Sequence, residues 1–116
     1  MTAADVMIGL VALLHAYFLV LEMFLWTTPF GRSVFHTTPE FAASAKALAA
    51  NQGLYNGFLA AGLAWGLAMG EAGLHVKLFF LACVIIAGVF GAATVSYKIL
   101  YVQAVPGILA LALLLG

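Results

Sequence analysis

Glu22 and His15 stand seven residues apart in "LHAYFLVLEMFLW", a stretch otherwise nearly free of polar side chains. Low-dielectric surroundings penalise an ionised carboxylate unless a cation or hydrogen-bond donors compensate. Glu22 therefore has two readings. One is a structural acid paired with Lys98, Lys46 or Arg32, or bonded to hydroxyl and amide groups. The other is a proton carrier or general acid/base, the default for an ionisable residue inside an apolar segment. His15 divides in the same way, into a second proton acceptor or a core histidine donating to a neighbouring helix, and the second reading is favoured. Seven residues place both on one helix face but about 10 Å apart along its axis, so they cannot touch in a regular helix.

A second polar group lies in "NQGLYN". With Asn51 at zero, Tyr55 falls near about 40°, Gln52 near about 100° and Asn56 near about 140° around a helix. Four such groups on one arc exceed what helix docking needs, and they fit the polar head of a ligand. Gly62, Gly66 and Gly70 continue the arc, where missing side chains let another helix approach. Gly53 and Gly57 make a small-residue pair on a different face and are expected to form a seam for a homodimer. A third group surrounds Lys98 and Tyr101, where a cation and a phenol read either as interfacial anchors or as partners of an acidic ligand.

The elements that must position these groups follow from composition. Of 116 residues, 66% are hydrophobic and 7% charged, with a mean hydropathy of +1.19. Soluble domains have about 45–50% apolar and about 25% charged residues, so the chain reads as an integral membrane protein embedded in the lipid bilayer. A spanning helix needs about 20 mostly apolar residues. Four stretches qualify: 6–26, 48–69, 76–93 and 97–115. The fold expected is all-α, a four-transmembrane-helix bundle running up-down-up-down, forming one membrane domain over 1–116.

Thr38, Pro39 and Glu40 signal a helix start, giving a short amphipathic extension that runs through Lys46 into the second span. Gly70–His75 reads as a turn, and the polar start of the fourth span together with Pro106 is expected to kink it or to leave its first turns at the interface. The N-terminus lacks a basic region and a cleavage site, so the first span is expected to be retained. Threaded this way, the three polar groups gather on one side of the membrane and leave the other half almost wholly apolar.

Other function classes are disfavoured. Zero net charge without a basic run removes the footprint of a nucleic-acid binder. Cys83 is the only cysteine, which leaves no disulfide and no thiolate cluster. Pro39 between His36 and Glu40 spoils a regular helical ligand pair, so neither a metal nor a cofactor is expected. Arg32 and Lys46 near the first loop and Lys98 in the third, against Lys77 near the second, place the first and third loops in the cytoplasm.

Three strings, "LHAYFLVLEMFLWTTPFGRSVF", "LAANQGLYNGFLAAGL" and "GAATVSYKILYVQAVPG", together resemble the bacterial domain-of-unknown-function family numbered 1304. The resemblance covers most of the chain. It implies a small four-span protein of the bacterial inner membrane, and its name implies no activity. The family pattern has a basic residue just before the lysine, where this chain has Tyr97, which implies one cation fewer in the cavity.

Three functions fit this reading. The favoured one is a one-sided polar pocket, lined by Glu22, Asn51, Gln52, Tyr55, Asn56, Lys98, Tyr101 and His15, that holds an amphipathic small molecule or lipid. Isomerase- or epimerase-like proton transfer at Glu22 would suit such a site. The second is a proton-coupled exporter with the architecture of the small multidrug-resistance transporters. One-sided polarity weakens it, because a path for polar cargo needs both halves lined. The third is a membrane assembly partner without a ligand.

Overall fold

The computed structural model describes residues 1–116, which form six α-helices and no strand. In chain order these are α1 (Ala3–Met23), α2 (Pro29–Phe35), α3 (Pro39–Ser44), α4 (Lys46–Ala68), α5 (Leu74–Thr94) and α6 (Val105–Leu115). Two helical stretches, Ala3–Met23 and Gly70–Thr94, are long and apolar enough to cross a membrane; Leu100–Leu115 is apolar but shorter.

The helix ends follow local chemistry. At the start of α1, Thr2 and Asp5 cap each other: the Thr2 N–H donates to Asp5 Oδ2 at 3.3 Å, and the Asp5 N–H to Thr2 Oγ1 at 3.1 Å. This reciprocal capping begins the helix at Ala3 rather than at the expected Val6. The helix ends at Met23, so Trp26 lies beyond it. Between α1 and α4, Thr28 and Thr38 each cap a short helix whose next residue is a proline. Proline fits the first helical position because the N–H it lacks would have no partner there. The expected start at Thr38 is present, but the helix breaks at Ala45 (φ −96°, ψ 5°) before α4 begins.

Gly70 has φ +62°, the left-handed conformation that favours glycine, and no atom lies within 4 Å of where its Cβ would be. It ends α4 and opens a 3₁₀ turn, Gly70–Gly73. It is therefore a turn residue, not a continuation of the packing face of Gly62 and Gly66. His75 belongs to the first turn of α5, not to the connection. The fourth segment departs from a regular helix as Pro106 requires. The proline ring crowds the carbonyl four residues back, and the chain widens into a π-turn at Leu100–Ala104. There the Val105 N–H donates to Leu100 O, five residues back.

Contacts divide the chain into two compact units. The larger comprises 1–13 and 59–116, the smaller 14–58. The larger has an apolar core to which four helices contribute: Ile8 and Val11 of α1, Leu63 of α4, Leu81 and Val84 of α5, and Ala110 of α6. Close backbone approach makes this packing feasible. A Cβ on Gly88 would lie 2.6 Å from Ala104 N, and one on Gly62 would strike the Phe80 ring. The smaller unit closes α1 on α4 in the same manner. A Cβ on Gly53 would lie 2.7 Å from Met23 Cγ and 3.2 Å from Leu19 O, and one on Gly57 would lie 2.6 Å from Leu19 Cδ1. The glycine face expected to receive a second copy is taken up by α1 of the same chain.

Candidate functional site

Within the smaller unit, Glu22 is buried, with 5% of its surface exposed. Asn56 Nδ2 donates to Glu22 Oε1 at 2.6 Å, joining α1 to α4. Gly53, one turn before Asn56 on α4, makes the bond reachable: its missing side chain leaves room for Glu22 Cβ, 3.1 Å from where a glycine Cβ would project. Sequence therefore supplies both the partners and the gap between them. The amide is neutral. Of the cations expected beside Glu22, Lys46 is exposed and Arg32 donates through Nε to Thr27 O at 3.4 Å.

An acid and an amide in this arrangement can handle protons. An ionised Glu22 accepts from Asn56 through Oε1 and offers Oε2 to a second donor. A protonated Glu22 still accepts through its carbonyl oxygen and donates its O–H. Asn56 serves both forms without changing its own charge. The other amide and phenol groups of the arc flank the pair on α4: Asn51, Gln52 and Tyr55 are exposed, and Tyr55 lies 6.1 Å from Phe58 between ring centroids. His15 is fully buried, with its ring edge-on to Phe18 at 5.4 Å.

Lys98 and Tyr101 belong to the larger unit. Both are exposed, the Lys98 N–H donating to Ser96 Oγ at 3.3 Å and Tyr101 lying within the π-turn.

The larger unit holds a polar cluster that the sequence reading did not find. Lys77 is buried, with 6% of its surface exposed. Its ammonium meets Asp5 Oδ1 at 3.1 Å and donates to Gly70 O at 3.3 Å. The expectation that the polar groups gather together and leave the remainder almost wholly apolar is corrected accordingly, because Lys77 and Asp5 form an ion pair in the larger unit. The Lys77 stem lies against α4 at Gly66, where a Cβ would come within 2.8 Å of Lys77 Cγ. The signal was present in sequence: Thr2 and Asp5 have capping-box spacing, and Gly66 precedes the turn leading to Lys77. The same unit holds an open apolar cleft of about 320 Å³ lined by Trp65, His75, Val76, Phe79 and Phe80.

Comparison with known proteins agrees with the resemblance. The family model described as "Protein of unknown function (DUF1304)" matches residues 9–115. The uncharacterised protein YpaA of Lactococcus lactis subsp. lactis (strain IL1403) is 33% identical over 104 residues, which cover 88% of this chain and 87% of the relative. No solved structure matches. The chain belongs to the DUF1304 family.

Proposed function

We propose that this member of the DUF1304 family is a four-span protein of the bacterial inner membrane that binds an amphipathic small molecule or lipid at Glu22 and Asn56. On this reading the exposed amides of Asn51 and Gln52 and the phenol of Tyr55 meet its polar head, and Glu22 accepts or returns a proton. The observation that carries the reading is the Glu22–Asn56 bond, a buried acid held by a neutral donor. A purely apolar contact would need neither group, and the acid is held without a counter-ion in its unit.

Support for the membrane comes from where the apolar surface points. In the two long apolar stretches only 28% and 22% of the most apolar window is buried. A core helix of a soluble protein would bury most of that surface. Phe79, Ile86 and Phe90 on α5 are each more than 60% exposed, which suits lipid and not water. Among the other two spans, α4 has 23 residues, about 34 Å, enough for a hydrocarbon core of about 30 Å. Leu100–Leu115 is shorter, and Tyr97, Lys98 and Tyr101 before and within it are suited to anchoring at the interface.

Native mass spectrometry of the gently purified protein tests this function. A retained amphiphile in the wild type that is lost in Glu22→Gln, with the fold intact, is the expected result. Equal retention in both would refute a role for Glu22 in binding.

A further inference from the structure

The connector between α1 and α4, residues 24–45, has more structure than a connection needs. Thr28 and Thr38 cap its two helices, their hydroxyls accepting from Gly31 N–H and Phe41 N–H at 3.1 Å each. Trp26 Nε1 donates to Ala42 O at 2.9 Å, tying the start of the connector to α3, and the Trp26 ring packs on Phe35 at 5.0 Å. Gly31 is buried against Leu25 O so closely that no side chain fits there. While Trp26 and Phe35 turn inward, Phe30 (55% exposed), Val34 (38%) and Phe41 (55%) turn out. Phe30 and Val34 are four apart and share one side of α2.

Two cations accompany these side chains without a commitment inside the chain. The only side-chain bond of Arg32 is from Nε to Thr27 O, which leaves both terminal nitrogens free, and the Lys46 ammonium has no partner. Glu40 is the one acid between them in sequence. Exposed aromatics beside free cations are costly in water and favourable at the boundary of acyl chains and phosphate headgroups.

We propose that residues 24–46 form an interfacial platform. Phe30, Val34 and Phe41 enter the headgroup–acyl boundary, and Arg32 and Lys46 bind the phosphates of anionic phospholipid. The occupant follows from continuity and charge: α1 delivers the chain to this point from an apolar span, α4 takes it onward, and the free charges are positive. The proposal rests on the membrane reading above. The orientation expected from the distribution of Lys and Arg would set the platform against the leaflet whose surface is negative.

Spin labels on single cysteines test it, in a Cys83→Ala background because Cys83 is the only native thiol. Phe30→Cys, Val34→Cys, Phe41→Cys and, as control, Glu71→Cys at an exposed position of the Gly70–Gly73 turn are reconstituted in zwitterionic vesicles and in zwitterionic–anionic mixtures. Labels at 30, 34 and 41 should collide with oxygen in preference to a water-soluble nickel chelate, and the label at 71 should do the reverse. Separately, Arg32→Gln and Lys46→Gln should each lower the ratio of anionic to zwitterionic lipid retained in native mass spectra by about fivefold. Nickel-accessible labels at 30, 34 and 41 in both vesicle types would overturn the platform. An unchanged lipid ratio in the double charge variant would overturn the phosphate contact. Release of the protein from vesicles by alkaline carbonate marks failure of the membrane reading itself. Retention with water-exposed labels refutes only the platform.

Discussion

Two polar pairs, each with one buried member, tie helices together in this molecule, and they are built on different principles. In the larger unit Lys77 has an opposite charge in Asp5 and a carbonyl in Gly70, so a buried cation receives both a counter-ion and a backbone acceptor. In the smaller unit Glu22 has an amide donor and no ion pair within that unit. Asp5 is also partly open, at 24% side-chain exposure against 7% for Lys77. The first pair is a clasp whose members satisfy each other. The second leaves an acid with an unused oxygen and a partner that carries no charge. A closed pair suits structure, and an open one suits chemistry.

That contrast can be broken most forcefully at the clasp. Asp5→Asn strands the buried ammonium of Lys77 and should lower thermal stability in detergent more than any other substitution considered. Lys77→Met, which removes the buried charge and leaves a partly exposed acid, should cost less, and the double variant less than Asp5→Asn alone. Equal losses in all three would mean that burial of the charge is not what makes the pair matter.

Next comes the glycine that admits Glu22. Gly53→Val pushes Met23 and the Leu19 carbonyl away from α4 and should destabilise by about 1–3 kcal/mol in denaturation of the reconstituted protein. Asn56→Leu removes the donor to Glu22 and should cost about 1–3 kcal/mol, because it leaves a buried carboxyl without its partner. Trp26→Phe keeps the ring contact with Phe35 but drops the bond to Ala42 O, a loss of about 1 kcal/mol. Glu22→Gln should be the smallest of all in stability, since a glutamine carbonyl still accepts from Asn56. A large stability loss in Glu22→Gln would turn the open pair into a second clasp.

How much of this was legible in sequence varies with how local the cause is. Thr38-Pro39-Glu40 announced a helix start because capping is decided by neighbouring residues. Thr28-Pro29 carries the same signal and starts a helix in the same way. Pro106 foretold a departure from regular helix, but not that the relief would be a π-turn. Glu22 and Asn56 were both recognisable as polar groups in apolar helices. Their bond depends on the register between α1 and α4, which Gly53 sets through a contact that no spacing rule reveals. Lys77 and Asp5 escaped for the same reason. Each sits near a helix start, where a charge has an ordinary explanation, and only their meeting in space makes them a pair. Gly53 and Gly57 were read as a seam for a second copy, whereas α1 of the same chain packs against them; a sequence cannot tell whether the helix such glycines admit comes from another chain or from their own.

The most direct test of the central claim, that buried Glu22 exchanges a proton, is infrared difference spectroscopy of the reconstituted protein over a pH series. A carboxyl carbonyl band that is absent in Glu22→Gln, shifts in frequency in Asn56→Leu, and rises and falls with pH while the protein stays folded is the predicted result. A spectrum in which no band assignable to Glu22 changes at any pH the fold survives would contradict it.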